Sequence, residues 1–269
     1  MMPAAARMQS PIDAKRVDPK RYTRYVNAMD AFMEASADRF DAGAVSVLTA
    51  EQKRVTAAYE AGGLGAALFA TEASMQPWTE YLTRVWVITA PGAAEVAEPF
   101  LGIGKARDPR REAVAAASKN RIRQLAPNKA SGMVATSQDM IKTAVTAAAP
   151  GEGARALLLA LINAYADKKT KRSRKIAWSE VHESANYGTM TAASGLYRAL
   201  DKVWVSLMDG RQRDAHGAAH GQRKHLDQHF MVAGDRMNFP GDSSLGASLS
   251  QTVNCRCQVI YQSRNDQVG

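Results

Sequence analysis

Up to Gly195 the apolar residues of this 269-residue chain recur three and four positions apart, and beyond it they do not. That change of texture limits the fold more than any single motif. Tyr22, Tyr25, Val26, Met29, Phe32 and Met33 fall on one helical face. Thr49 and Gln52 have capping-box spacing before a second helix, which Gly62-Gly63 should stop. Trp78, Leu82, Val85, Trp86 and Thr89 predict a third helix ending at Pro91-Gly92, although Val85 to Ile88 alone equally suits a buried strand. Further helices are expected over Ala113–Leu125, over Gln138–Ala148 with Thr136 or Ser137 as cap, around Leu157–Tyr165, and over Ser173–Ala193. Alanine supplies much of the 46% apolar content, which favours helix and makes these stripes core rather than cofactor pocket.

After Gly195 the signals are those of strands and turns. Lys202 to Leu207 reads as a strand ending at Asp209-Gly210, with two more at Phe230–Val232 and Gln258–Tyr261. Pro240-Gly241-Asp242-Ser243-Ser244 reads as a turn. The expected fold class is α+β and predominantly helical, a helical N-terminal body followed by a compact C-terminal α+β domain with short strands. The expected division is a flexible arm at 1–20, a helical region at 21–130, a C-terminal domain at 131–262 and a tail at 263–269.

Charge and hydropathy set the classes of partner. No apolar run approaches the roughly 20 residues of a membrane span, and Met1 to Arg7 lacks the apolar core of a secretory signal. A soluble, unexported chain with no membrane partner is expected. The net charge of +9 is clustered at Lys15–Arg24, Lys105–Arg111, Lys119–Lys129 and, most densely, Lys168–Lys175. Such clusters suit non-specific contact with DNA phosphates, and equally suit a solvated helix face.

Several short elements of the C-terminal part occur in a recognisable order. Trp204 is followed by Asp209-Gly210-Arg211-Gln212-Arg213-Asp214-Ala215-His216, then Gly221-Gln222, then Phe239-Pro240-Gly241-Asp242, and finally Asn254-Cys255-Arg256-Cys257. Upstream, Ser179-Glu180 precedes Asn186. This combination resembles the phage Mu F-like head morphogenesis family of minor head, or minor capsid, proteins over roughly residues 134–262. That family commonly has Asp or another small polar residue before the Gly-Gln, where this chain has His220. The resemblance implies a virion protein in the capsid interior or near the portal. It would be present in the host cytoplasm during assembly and bind portal, major capsid or scaffolding proteins. It also marks Trp204, Arg211, Arg213, Gly221, Pro240, Asp242, Asn254 and Arg256 as structural motif residues. Some head proteins of this type look related to ADP-ribosyltransferase folds, but Glu180 and Glu183 lack the Glu-x-Glu spacing of that activity.

Both cysteines, Cys255 and Cys257, and four of the five histidines lie in this same segment. Two explanations stay open. Cys255 and Cys257 with His216, and with Asp209 or His220 as a fourth ligand, make a mixed donor set suited to zinc, which would staple a tail with a thin core. Alternatively, residues two apart on a strand share a face, and the thiols are simply buried together. Arg211, Arg213 and Arg256 are placed to pair with Asp209, Asp214 or Asp242 in a structural network, or, where exposed, to contact phosphate. The i,i+4 pairs His216/His220 and His225/His229 are raw material for a zinc-dependent nuclease acting on phage DNA. No His-Glu-x-x-His, Gly-x-Ser-x-Gly or phosphate-binding glycine loop accompanies them, so the expectation is a non-enzymatic binding protein. A helical DNA-binding protein unrelated to capsids is the third reading.

Overall fold

The computed structural model describes residues 19–102, 109–148, 153–196 and 200–263. Helices dominate it, and short antiparallel strands follow near the C-terminus, as the change of texture at Gly195 requires. The long helices are α1 (Pro19–Ala70), α2 (Met75–Leu101), α3 (Pro109–Ala147) and α4 (Ala154–Ser194), with one 3-10 turn at Glu72–Ser74. Most of the 1–20 arm, residues 264–269, and parts of the basic clusters at 15–24 and 105–111 lie outside the described residues.

The helices are fewer and longer than the sequence signals imply. The hydroxyls read as caps bond back one turn within a continuing helix: Thr49 Oγ1 donates to the Val45 carbonyl at 2.8 Å, Thr136 Oγ1 to Gly132 at 2.8 Å, and Ser137 Oγ to Met133 at 3.3 Å. Pro91 does not end α2, and Pro127 sits inside α3. A proline within a helix costs about 3 kcal/mol. Burial on both sides offsets it, with Trp86, Ala90, Ala93, Ala94 and Ala97 around the first and Ile122, Ala126, Ala130 and Val134 around the second. Val85 to Ile88 is helical rather than a strand. Gly62-Gly63 interrupts as expected: the backbone leaves helical dihedrals there, Gly63 with φ 71°, and then resumes as part of α1, while α3 ends at Ala147 against the expected Ala148.

The chain forms two compact units, each assembled from separated stretches. One comprises the described residues of 37–85 and 120–177, the other the described residues of 1–36, 86–119 and 178–269. These boundaries fall inside all four long helices and not at the expected 130/131. The 37–85/120–177 unit has a core of Val55, Tyr59, Ala67, Ile141, Leu161 and Tyr165. Within it, the fully buried Glu51 accepts hydrogen bonds from Ser137 Oγ at 2.5 Å and Tyr165 Oη at 3.0 Å. Arg172, from the densest basic run, turns to this cluster and donates to Ser137 Oγ at 2.9 Å and to the Met133 carbonyl at 2.7 Å. The same run's Arg174 ion-pairs with Asp38. That run is thus in part structural.

The other unit carries the strands. β1 (Leu200–Val205) lies between β2 (Arg223–His225) and β5 (Gln258–Ser263), antiparallel to both, with Trp204 opposite Val259 and Asp201 opposite His225. β3 (Phe230–Val232) and β4 (Asp235–Met237) form a hairpin over Ala233-Gly234, whose φ angles of 52° and 88° are those of a two-residue turn with both positions left-handed. Two short helices, α5 (Asp214–Ala219) and α6 (Leu249–Thr252), fill the loops. β1, β3 and β5 match the predicted strands; β2 and β4 are three residues each and charged, so alternation did not show them.

Candidate metal centre

α5 carries His216 inward and the turn after α6 carries Cys255 and Cys257, so three ligands of two types meet from two segments. Their ligating atoms all lie within 4.8 Å of one another, and all three residues are buried. His216 Nδ1 is 3.3 Å from Cys257 Sγ and 3.5 Å from Cys255 Sγ. On the ring's other side Nε2 lies 3.0 Å from Gln251 Oε1, an acceptor that keeps the proton on Nε2 and leaves the Nδ1 lone pair facing the sulfurs.

The two thiols differ. Burial pushes Cys255 up, but the Cys257 side chain and N–H, the Arg213 guanidinium and the Arg256 N–H outweigh it and hold Cys255 below the ordinary thiol range. Cys257 is held well above that range, first by its hydrogen bond to Cys255, then by burial and by the Cys255 charge. Cys255 is thus the more acidic of the two thiols, and a cation binding to the triad would expel the protons its sulfurs carry.

The resemblance-bearing residues surround this triad as one cross-tied structure. Trp204 packs edge-on against His216 at 5.6 Å between ring centroids, and against Phe230 at 5.4 Å. Its backbone exchanges two bonds with the Gly-Gln pair: Trp204 N–H to Gln222 O at 3.0 Å, and Gly221 N–H to Trp204 O at 2.9 Å. Gly221 needs its glycine for a φ of 79°. The Gln222 amide then takes both backbone groups of Met231, at 2.8 and 3.1 Å.

In the Pro240-Gly241-Asp242 turn, Asp242 is fully buried and accepts from the Asn238 N–H and amide and from the Ser244 N–H and hydroxyl. Gly241 has φ 86°, and a Cβ there would come within 2.7 Å of His182 Nδ1. Asn254 adopts φ 57°, a conformation asparagine tolerates better than most residues.

α4 ties the cysteine turn from outside. Ser179 Oγ accepts from the Asn254 N–H at 3.0 Å, Trp178 Nε1 donates to the Cys255 carbonyl at 2.8 Å, and Asn186 Oδ1 accepts from the Val259 N–H at 3.2 Å. His182, buried and held below the ordinary imidazole range by that burial, meets the Cys257 carbonyl through Nε2 at 2.5 Å. Glu180, read from the same helix motif, accepts from Trp86 Nε1 at 3.1 Å.

Asp209, expected as a possible fourth ligand, stands outside the triad. It accepts from Arg211 at 2.8 Å and pairs with Arg256 at 3.1 Å. Burial pushes its carboxyl up, but these arginines and the Arg211 N–H outweigh that and hold it below the usual carboxylate range. The other fourth-ligand candidate, His220, uses Nδ1 to accept the Ser206 N–H at 3.1 Å. The pair His225/His229 shares no helix. His225 ends β2 and meets Asp201 at 2.7 Å, and His229 meets Asn238 at 2.9 Å. Arg213 donates to the Val253 carbonyl rather than to a carboxylate. Among the described residues the metal-ligating cluster therefore has three members. Gln251 and His182 carried no signal in the sequence, because only the fold brings them to the cysteine turn.

No protein-family model, curated protein or solved structure matches the chain.

Proposed function

We propose that this chain is a phage minor head protein acting in procapsid assembly and head morphogenesis through binding, without a catalytic role. The observation that carries the reading is that the ordered motif elements, from Ser179 to Cys257, join through direct contacts around a single core. Motif residues held together in this way maintain a shape, which is what an assembly component presents to portal, capsid or scaffolding subunits. Packaged DNA is a further contact, made non-specifically through exposed cations such as Arg123, Lys171 and Lys175. Mass spectrometry of purified procapsids and virions tests the reading: the chain is expected in both, and its absence from particles would overturn it.

Zinc is the ion we assign to the triad. A tetrahedral zinc with S at about 2.3 Å and N at about 2.0–2.1 Å sets S···N edges of roughly 3.5 Å, and the observed separations are 3.3 and 3.5 Å. His216, Cys255 and Cys257 would hold it, with Gln251 orienting the imidazole. Bound there it would join α5 to the last strand and add its binding energy to folding.

One observation favours a second reading. Three protein ligands leave a coordination position open, as hydrolytic zinc sites do, which suits a zinc-dependent nuclease. Incubation with plasmid and magnesium, manganese or zinc separates the two. Assembly alone predicts no cleavage, whereas cleavage abolished by His216→Ala would replace it.

A further inference from the structure

A cavity of about 120 Å³ opens beside His216 and Cys257, and its polar lining is not accounted for by folding. Three guanidinium groups, from Arg211, Arg213 and Arg256, face one carboxylate, Asp209. That carboxylate is shared: its Oδ2 takes Arg211 Nε at 3.2 Å, Arg211 Nη2 at 2.8 Å and Arg256 Nη1 at 3.1 Å. One negative charge thus serves two arginines, and Arg213 spends a nitrogen on a neutral carbonyl. The wall keeps an excess of positive charge in a recess partly shielded from solvent, where Coulomb attraction for an anion is stronger than at an open surface.

Two donors on this wall have no partner. The Ser206 hydroxyl is buried without a hydrogen bond, in a residue 1% exposed, and Arg256 Nε is buried and likewise unbonded. Leaving such groups unsatisfied costs roughly 1–3 kcal/mol each, which an acceptor oxygen in the cavity would recover. Two residues of these loops, Met208 with φ 46° and Asn254 with φ 57°, hold a left-handed backbone that non-glycine residues seldom adopt.

We propose that this cavity is an oxyanion pocket that takes a phosphate group, with the Ser206 hydroxyl and the Arg256 Nε–H as donors and Arg211 and Arg213 supplying charge. The pocket does not rest on the role in particles, and His216 and Cys257 of the triad share the cavity's lining. A tetrahedral dianion supplies several acceptor oxygens to these donors and balances the charge excess. The phosphate is either free or part of a nucleic-acid backbone.

Titration calorimetry of the full chain with inorganic phosphate, at constant ionic strength and with chloride as the control, tests the pocket. One saturable site is expected. Ser206→Ala should weaken it at least tenfold while leaving the melting temperature of the anion-free protein equal or higher, because an unpaired buried hydroxyl is removed. A residue with a merely structural role would give the opposite pattern. Arg211→Gln, at a largely exposed side chain, gives a second variant whose fold is not at stake and should weaken phosphate severalfold. Displacement of bound radiolabelled phosphate by a short DNA duplex would identify a backbone phosphate as the source, and retention would identify the free anion; either keeps the pocket. Absence of saturable binding, or binding indifferent to both substitutions, would overturn it.

Discussion

The two compact units are held together by different means. In the 37–85/120–177 unit, long helices bury continuous apolar stripes, with a polar cluster of Glu51, Ser137, Tyr165 and Arg172 among them. In the strand-bearing unit, elements of three to six residues are too short to be stable alone. Side chains bonded to distant backbone join them: Gln222 to Met231, Asn186 to Val259, Trp178 to Cys255 and Arg213 to Val253. Periodicity builds the first region residue by residue. The second depends on individual residues that have no substitute, so single changes should do more damage there.

Trp204→Ala should have the largest effect, about 3–5 kcal/mol of stability, because Trp204 is fully buried against both His216 and Phe230. Denaturant unfolding measures it, and a loss below about 1 kcal/mol would mean the core of that unit lies elsewhere.

Arg172→Met is the strongest single challenge to the helical unit. It removes the donor to Ser137 Oγ and the Met133 carbonyl and the charge that acts on the buried Glu51, and should cost about 3 kcal/mol. Glu51→Gln in the same chain should recover part of that loss, since the charge no longer needs compensation. Full additivity of the two would show that the cluster is not coupled.

Asn254→Ala should cost about 1 kcal/mol, and Asn254→Gly far less, since only the left-handed backbone at φ 57° is at issue. Equal losses in the two would point to the amide side chain instead.

The smallest effect is a slope. Lys202 is buried on β1, donates to the Asn238 carbonyl at 2.8 Å and lies over the Phe230 ring at 5.2 Å. Burial pushes its ammonium down from the usual 10.5 to about 8, against the attraction of Asp242 and Asp227. Between those values the unfolded chain binds the proton more tightly, so Lys202 makes stability rise with pH. The rise should be visible from pH 8 to about 10, before the tyrosines titrate, and Lys202→Met should flatten it. An unchanged slope would show that the ammonium stays solvated.

Much of this organisation was legible in the sequence because it is local. The apolar faces around Val26, Trp86, Leu161 and Val181 and the runs at Trp204, Phe230 and Val259 were set by spacing and β-branching. What was missed is non-local. Thr49 and Ser137 look like caps until a continuing helix accepts their hydroxyls, and Pro91 looks like a stop until buried alanines flank it. The interleaved units join stretches separated by some thirty to sixty residues, which no window of sequence reports. His216, Cys255 and Cys257 were recognisable because soft and borderline ligands are rare in this chain, whereas Asp209 was misleading: an acidic residue near three arginines is more readily an ion-pair partner than a ligand.

We propose that His216, Cys255 and Cys257 hold one zinc in the strand-bearing unit. Elemental analysis of the purified full chain, repeated on His216→Ala and followed by thermal unfolding with and without a strong chelator, tests it most directly. The account predicts about one zinc per chain, as a single mononuclear site holds, near-complete loss of zinc in the variant, and a lower melting temperature for the wild type after chelation. Negligible zinc in wild-type protein purified without chelator, with melting unaffected by added zinc, would contradict it and leave the cysteines as buried packing.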